Sequence, residues 1–305
     1  MMYRAYGRVL ESDQPLPELD AASAGRADLR LVWNATVHAP PGVRWSTLWR
    51  FSSGEPWVTA ARASSAHHFR FGRLAEFRVS AALIEMAPRG RVEDATLRHL
   101  LLDQALPLAL AAQGALVVHA SAVSLQGRAV LFAGRAGAGK STLAALLARD
   151  GAPILADDGV LLEESAEGLR AVPSYPGLRL FSDSSAAAAL KPARTEESDD
   201  STKRRVVQAM RPDMFQSAAA PLGRIYVLSD GPALSIDRVT RRDAAIEILR
   251  HAYRADIDDA HALRRQLDAI AGVSSALDVW ILTRPRDFSK AAEVARAVAA
   301  HAVLR

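Results

Sequence analysis

A glycine-rich run from Gly134 to Thr142 is the segment whose residue types and spacing point most directly to a reaction. It reads Gly134-Arg135-Ala136-Gly137-Ala138-Gly139-Lys140-Ser141-Thr142 and satisfies the pattern G-x-x-x-x-G-K-[ST]. Glycines at this spacing let successive backbone N–H groups turn inward toward phosphate oxygens, and a helix that begins at Lys140 adds its positive end. Every residue of the run is therefore expected to bind the triphosphate of ATP.

Two side chains of this run have separate expected roles. The Lys140 ammonium neutralises the β- and γ-phosphates, and the Ser141 hydroxyl ligates Mg²⁺. A chance match is the alternative, since the pattern arises in on the order of one unrelated chain of this length in a hundred. The apolar strand before the run and the amphipathic helix after it favour a true phosphate loop, with ATP and Mg²⁺ as its ligands.

A pair of carboxylates, Asp157-Asp158, follows the short apolar strand Ile154-Leu155-Ala156. In a parallel α/β sheet, this strand end faces the same crevice as the phosphate loop. One carboxylate is expected to hold Mg²⁺, directly or through Ser141, and the other to accept the proton of an attacking hydroxyl. The sequence leaves open which aspartate does which, with Asp157 placed among the metal ligands. The alternative is that Asp-Asp-Gly is only a solvated turn.

His119 ends an apolar strand, Ala115–His119, that precedes the strand of the phosphate loop. If the two strands form a hairpin, His119 and Gly134 lie on neighbouring strands, and the imidazole reaches the γ-phosphate or the acidic pair. A histidine that only packs at a strand end explains the residue equally well. From the residues alone, both interpretations stay open.

The set His119-Ala120-Ser121, Gly134–Thr142 and Ala156-Asp157-Asp158 resembles the HPr serine kinase/phosphorylase family, which is related in fold to phosphoenolpyruvate carboxykinase. The resemblance covers about residues 93–230. It is stronger to HPr kinase-related P-loop kinases in which Ala-Ser follows the histidine, including those associated with lasso peptides.

The resemblance implies a P-loop α/β kinase domain of the HPr kinase/phosphoenolpyruvate carboxykinase-like type. It implies Lys140 and Ser141 as nucleotide and metal ligands, the Asp157-Asp158 pair as metal ligand and general base, and His119 as a partner on the phosphate side. The chain departs from the family in the signature near Arg179, and its N-terminal segment does not resemble the family's regulatory domain. Lys203, Arg204 and Arg205 fall in the region that other members use beside the substrate.

The secondary structure expected from the sequence divides the chain into two domains, residues 1–92 and residues 93–305. Residues 1–92 are expected to form a small β-rich domain, because short strands there are separated by Pro, Gly and Ser. Its expected strands are Leu29–Trp33, Trp57–Thr59, Phe69–Val79 and Ile84–Ala87. The charged stretch Ala186–Arg205 is expected to be an exposed loop.

Residues 93–305 are expected to form the P-loop α/β domain. Its predicted helices are Asp94–Ala112, Lys140–Arg149, Arg242–Tyr253, Asp256–Ile270 and Asp287–Ala302. Its predicted strands are Ala115–His119, Ala129–Ala133, Ile154–Ala156, Val160–Leu162, Ile225–Leu228 and Val279–Leu282, with a hairpin turn at Ser124–Arg128.

Composition excludes several classes of site and partner. The chain has 305 residues, a formal net charge of only +4 and no cysteine. Disulfides and thiolate zinc sites are therefore impossible, and the dispersed charge argues against a nucleic-acid partner. The N-terminus shows no secretory signal and no segment spans a membrane, so we expect a cytoplasmic protein without a membrane partner. A homo-oligomer is compatible with the sequence.

These features together predict an ATP-dependent serine kinase that transfers the γ-phosphate to a serine hydroxyl of a peptide or small protein. A ribosomally made precursor peptide is the sharper form of this prediction. Two alternatives stay open: an ATP-binding regulatory or scaffold protein without phosphotransfer, and a small-molecule kinase of a biosynthetic pathway.

Overall fold

The computed structural model describes residues 1–23, 25–51, 53–181, 194–198, 201–207, 214–254 and 259–303. The chain forms two compact units. The first comprises Met1–Ala115, Glu197–Thr202 and Tyr253–Gln266; the second comprises Leu116–Glu196, Lys203–Ala252 and Leu267–Arg305. Residues 93–115 thus group with the N-terminal strands, and the expected division into domains at residues 92 and 93 stays a prediction.

The first unit contains a sheet of nine strands in the order β3-β1-β2-β4-β9-β8-β7-β6-β5. Their bounds are β1 Met2–Ala5, β2 Arg8–Ser12, β3 Asp20–Ala21, β4 Leu29–Trp33, β5 Ser46–Arg50, β6 Pro56–Ala63, β7 Ala66–Phe71, β8 Ala75–Val79 and β9 Leu83–Pro88. The expected single strand Phe69–Val79 is wrong, because the chain turns at Gly72 with φ +48° and returns antiparallel. The turn lets both Phe71 and Phe77 be buried.

Helical residues 94–112 follow this sheet as three consecutive segments: α1 Asp94–Leu100, a π-helical turn Leu101–Ala105 and α2 Leu106–Ala112. Pro107 lacks the N–H that would bond to the Asp103 carbonyl in a continuous α-helix. The Tyr253 hydroxyl donates to that carbonyl at 3.0 Å instead. The predicted helix is therefore present, with a π turn where proline interrupts its hydrogen bonds.

The second unit contains another nine-stranded sheet. Its path is β10-β14-β15-β19-β12-β11-β13, with β21 beside β19 and β20 beside β21. The bounds are β10 Leu116–Val118, β11 Ala120–Leu125, β12 Arg128–Ala133, β13 Ile154–Ala156, β14 Val160–Ser165, β15 Gly168–Val172, β19 Ala220–Asp230, β20 Ser235–Arg238 and β21 Val279–Arg284. Strands β12, β19 and β21 are parallel.

Helices cover both faces of these parallel strands. The helices are α3 Lys140–Arg149, α4 Arg241–His251, α5 Ala260–Ala276 and α6 Ala291–Val303. In β12, Leu131 packs in the core that includes Ile248 of α4, whereas its neighbour Phe132 packs in a second core that includes Leu146 of α3. The alternation of β12 between two apolar cores is the period-two pattern of a strand buried on both sides.

The prediction of an exposed loop at Ala186–Arg205 is wrong where the structure describes it. Strands β16 Gly177–Phe181, β17 Arg194–Ser198 and β18 Ser201–Val207 form a third sheet, in the order β16-β18-β17. Residues 186–193 and 199–200 lie outside the described part. These strands pair through backbone hydrogen bonds, which charged side chains do not prevent.

The chain is thus a mixed α/β protein with two large sheets, in agreement with the expected fold class at this level. Within the described ranges, no helix is both long enough and apolar enough to cross a membrane.

Candidate active site

The loop from Gly134 to Gly139 connects the end of β12 to the start of α3. Gly134, Gly137 and Gly139 have φ values of +151°, +76° and +85°, a region that residues with a Cβ rarely adopt. A Cβ on Gly139 would also lie 2.8 Å from Nη2 of Arg284. The backbone conformation therefore favours glycine at Gly139, and a Cβ there would also displace the neighbouring guanidinium.

The side chain of Lys140, only 5% exposed, folds back over this loop. Its ammonium donates to the carbonyl oxygens of Gly134 at 3.0 Å and Arg135 at 3.3 Å. It also lies 3.1 Å from Nε2 of His119. The cation is thereby held against the loop by carbonyl groups and an imidazole.

His119 links Lys140 to the acidic pair, because its Nδ1 lies 2.8 Å from the main-chain oxygen of Asp158. An ammonium can only donate and a carbonyl oxygen can only accept. Both contacts are satisfied when Nε2 accepts from Lys140 and Nδ1 carries the proton. The contacts thus favour a neutral imidazole in the Nδ1–H form.

The position of His119 differs in one respect from the sequence prediction. The strand Leu116–Val118 ends before His119 and pairs with β14, whereas the hairpin partner of β12 is β11, which begins at Ala120. The hairpin turns at Gln126 and Gly127, inside the predicted turn, with φ values of +49° and +75°. His119 therefore occupies the junction between two strands, and its own N–H donates to the His251 carbonyl at 2.7 Å.

Asp157 is buried at 5% exposure and accepts three hydrogen bonds. Its Oδ1 accepts from the hydroxyl of Ser121 at 2.5 Å and from that of Ser141 at 2.9 Å. Its Oδ2 accepts from the backbone N–H of Arg179 at 2.9 Å. One carboxylate thus connects the loop helix, the hairpin and β16.

Asp158 has a left-handed backbone with φ +60° and is 8% exposed. Aspartate tolerates this region because its short polar side chain bonds locally. The Asp157 carbonyl accepts from the N–H of Gly159 at 2.7 Å, which closes the turn. The alternative of a solvated turn is therefore wrong, since the turn is present but both aspartates are buried.

His251 lies beside this network, and its pKa is lowered. Burial lowers the pKa of His251, the positive charge of Lys140 lowers it further, and the carboxylate of Glu247 opposes both effects. Because an uncharged His251 avoids repulsion of the Lys140 ammonium, the site concentrates its positive charge on the lysine.

The residues present fit a magnesium ion bound together with phosphate. The Ser141 hydroxyl and the Asp157 carboxylate are adjacent oxygen ligands of the type that Mg²⁺ prefers. Among the described residues, no group of three or more His, Cys, Asp or Glu side chains is placed to hold a metal. A magnesium ion here would therefore take its remaining ligands from phosphate and water oxygens.

No family model matches the sequence, and no curated protein matches it. A solved structure to which the chain is similar is that of the HPr(Ser) kinase/phosphatase from Coxiella burnetii, at 12% identity and a TM-score of 0.32. The match covers 61% of this chain and 95% of that one. A likeness at this level says nothing about activity, so function must be judged from the site itself.

The structure joins Lys140, His119 and the main-chain oxygen of Asp158 by hydrogen bonds, and it joins Ser141 to Asp157 by another. The two groups are neighbours because Lys140 precedes Ser141 and Asp157 precedes Asp158 in the chain. The side chains of Lys203, Arg204 and Arg205 lie outside the described part, although their backbones pair with β16. The sequence alone assigned no role to Ser121. The sequence pointed to this residue only through its place in the motif His119-Ala120-Ser121, because its contact with Asp157 depends on the pairing of strands that are distant in the sequence.

Proposed function

We propose that the protein is an ATP-dependent serine kinase that transfers the γ-phosphate to a serine hydroxyl of a peptide or small protein. The observation that carries this proposal is the convergence of the Lys140 ammonium, the His119 imidazole and the Ser141–Asp157 pair beside the glycine-rich loop. Phosphoryl transfer needs a cation for the phosphates, oxygen ligands for a metal and an acceptor for the hydroxyl proton. In this proposal Lys140 supplies the cation, Ser141 and Asp157 supply the oxygen ligands, and Asp158, whose main-chain oxygen contacts His119, supplies the proton acceptor.

The loop and Lys140 bind the phosphates in this proposal. The N–H groups of residues 134–142 hold phosphate oxygens, and Lys140 neutralises the β- and γ-phosphates. Ser141 and Asp157 hold Mg²⁺, which when bound neutralises charge on the phosphate oxygens. His119 keeps the ammonium oriented, because its second nitrogen is anchored on the carbonyl of Asp158.

We assign the proton transfer to Asp158 and the metal to Asp157. Asp157 shares its Oδ1 with the Ser141 hydroxyl, the second proposed metal ligand. In the reaction, the serine oxygen forms a bond to the γ-phosphorus as the bond from that phosphorus to the oxygen of ADP breaks. The hydroxyl proton passes to the Asp158 carboxylate. Alignment and charge neutralisation supply most of the rate enhancement.

The class of acceptor follows from the resemblance of the motifs to HPr kinase-related kinases. A precursor peptide made by the ribosome is the sharper proposal. We also propose that residues 93–305 form the catalytic domain and that residues 1–92 form a separate β-rich domain.

Incubation of the purified full chain with ATP labelled at the γ-phosphate and a panel of serine peptides tests the proposal. We expect label on serine, and we expect Lys140→Ala to weaken ATP binding and abolish labelling. Arg149→Ala is the matched control, because Arg149 is a cation at the far end of the same helix and pairs with Asp150.

Three results would contradict the serine kinase. ATP binding without transfer to any acceptor would favour a regulatory or scaffold protein. Label found only on a small hydroxylated molecule would favour a small-molecule kinase. Wild-type ATP affinity in Lys140→Ala would remove the phosphate-binding role of the loop.

A further inference from the structure

A cavity of about 220 Å³ opens beside the glycine-rich loop in the second unit. Four of its lining residues are cations, which come from the start of α3, from β16, from the end of β21 and from the segment after β21. The cations that line it are Lys140, Arg179, Arg284 and Arg286. Such a lining suits a ligand with several negative charges.

Apolar side chains also line the same cavity. They are Leu143 and Leu146 of α3, Val294 of α6 and Phe288 in the turn before α6. Phe288 is 54% exposed, which is unusual for a large aromatic ring. A polyanion with a flat apolar body at one end matches both kinds of lining residue.

Two guanidinium groups fix the aromatic segment relative to the loop. Nη2 of Arg284 donates to the Ala138 carbonyl, and Nη2 of Arg286 donates to the Gly137 carbonyl at 3.0 Å. These carbonyls belong to the loop whose N–H groups are proposed to hold phosphate. Because Phe288 follows Arg286 by two residues, these hydrogen bonds hold the backbone before Phe288 close to the loop.

We propose that this cavity binds the base and sugar of the nucleoside triphosphate, with the base stacked on Phe288 and on the apolar side chains of α3 and α6. The inference rests on the proposed function, because the loop must hold the phosphates for the base to lie here. It goes further in assigning how the base is recognised.

Stacking recognises a base by its area rather than by its hydrogen-bonding edge. The apolar lining formed by Leu143, Leu146, Phe288 and Val294 has no side-chain donor or acceptor. The carboxylate of Asp287, which also lines the cavity, accepts from the N–H of Ser289 at 2.8 Å. The site therefore prefers purines to pyrimidines and accepts ATP and GTP with similar affinity.

Calorimetric titration of the full chain with ATP, GTP, CTP and inorganic tripolyphosphate tests this inference. We expect ATP and GTP to bind more tightly than CTP, and all three nucleotides more tightly than tripolyphosphate. Phe288→Ala weakens ATP binding about tenfold and leaves tripolyphosphate binding unchanged, because stacking contributes on this order per base. Phe288→Tyr retains ATP affinity, since its ring has the same face.

Phe51→Ala is the matched control. Phe51 is also a highly exposed phenylalanine, at 45%, but it belongs to the first unit and packs against Trp57. Its substitution is expected to change binding of neither ATP nor tripolyphosphate. Phe288→Trp adds a direct optical signal, since ATP and not tripolyphosphate should quench its additional fluorescence.

The failure of this inference is distinguishable from failure of the kinase. Equal loss of ATP and tripolyphosphate binding in Phe288→Ala would overturn base stacking, as would unchanged ATP binding in that variant. A large preference between ATP and GTP would also overturn it, because stacking alone does not supply one. Wild-type protein that binds neither tripolyphosphate nor ATP would overturn the proposed function itself.

Discussion

The ammonium nitrogen of Lys140 lies 3.1 Å from Nε2 of His119, although 21 residues separate them in the chain. Strand register explains the approach. Ala120 pairs with Ala133 at the end of the β11–β12 hairpin. The residues just beyond this pair, His119 and Gly134, are therefore at the same end of the hairpin, where Lys140 folds back over the Gly134 carbonyl.

This relationship is the basis for the proposal that His119 helps to orient the lysine. We expect His119→Ala to lower the transfer rate about a hundredfold, because a misplacement of about 1 Å near the reacting groups has an effect of this order. ATP affinity should fall less than in Lys140→Ala, since the cation itself remains. Single-turnover rates and ATP titration separate the two effects.

His261→Ala serves as the control for His119→Ala, because His261 is an exposed histidine of the first unit. A wild-type transfer rate in His119→Ala would show that the imidazole only packs at a strand end.

Asp158→Asn tests the proposed base with little disturbance of the backbone. Asparagine adopts the left-handed conformation of this position as readily as aspartate does. The main-chain oxygen that contacts His119 also remains. We expect ATP binding to persist and the transfer rate to fall between about a hundredfold and ten-thousandfold, the usual contribution of a general base.

Asp150→Asn is the control for Asp158→Asn, because Asp150 lies just beyond the end of α3 with a largely exposed side chain. Turnover at the wild-type rate in Asp158→Asn would assign the proton to another group.

Ser121 and Ser141 form a matched pair for testing the proposed metal site, because both hydroxyls donate to Oδ1 of Asp157. Either alanine variant loses one hydrogen bond to a buried carboxylate, which typically lowers the free energy of unfolding by about 1–3 kcal/mol. Of the two serines, Ser141 is the one that is proposed to ligate Mg²⁺. Ser141→Ala should therefore raise the Mg²⁺ concentration for half-maximal activity well above that of Ser121→Ala. Equal magnesium requirements would remove Ser141 from the metal site.

Gly139→Ala tests whether the loop conformation is needed for nucleotide binding. The left-handed backbone and the approach to Arg284 both oppose a Cβ at this residue. We expect ATP binding to weaken between about fivefold and about 150-fold, since strained backbone of this kind costs about 1–3 kcal/mol. Adding Arg284→Ala relieves the contact but not the backbone strain, so the double variant should not recover. Full recovery would assign the effect to the contact alone.

Local pattern was sufficient to predict the loop and its helix. The glycine spacing and the leucines of α3 lie within one continuous segment, and the predicted helix Lys140–Arg149 is confirmed at both ends. The network around Asp157 was less accessible. Ser121 reaches it because β13 pairs with β11 and places Ala156 beside Ala122. Such pairing between distant segments leaves little trace in either segment alone.

Composition gave a wrong prediction where the pairing of strands determines the structure. The charged residues of β17 and β18 favoured a loop, but a strand is defined by its backbone partner, which composition does not reveal. Arg284 and Arg286 were likewise missed, because nothing near them in the sequence indicates that they contact loop carbonyls about 150 residues earlier.

His251 predicts a pH dependence whose sign follows from its lowered pKa. Burial and the charge of Lys140 hold this pKa below the ordinary value of 6.5 in the folded protein. As pH falls below 6.5, the unfolded chain binds the proton first, so the free energy of unfolding decreases until the folded pKa is passed. Urea unfolding from pH 7.5 to 5 should show this decrease, and His251→Gln should make it smaller.

The same group reports on Lys140 directly. Lys140→Met removes the second-largest cause of the shift, so the pKa of His251 should rise toward 6.5 in that variant, while burial still keeps it low. NMR titration of the His251 ring protons measures this, with the signal assigned through His251→Gln. Because Glu247 and Arg250 also act on His251, Arg250→Gln is the control and should raise the pKa less than Lys140→Met. If Lys140→Met left the pKa of His251 unchanged, the Lys140 ammonium would not be a cause of the lowered pKa.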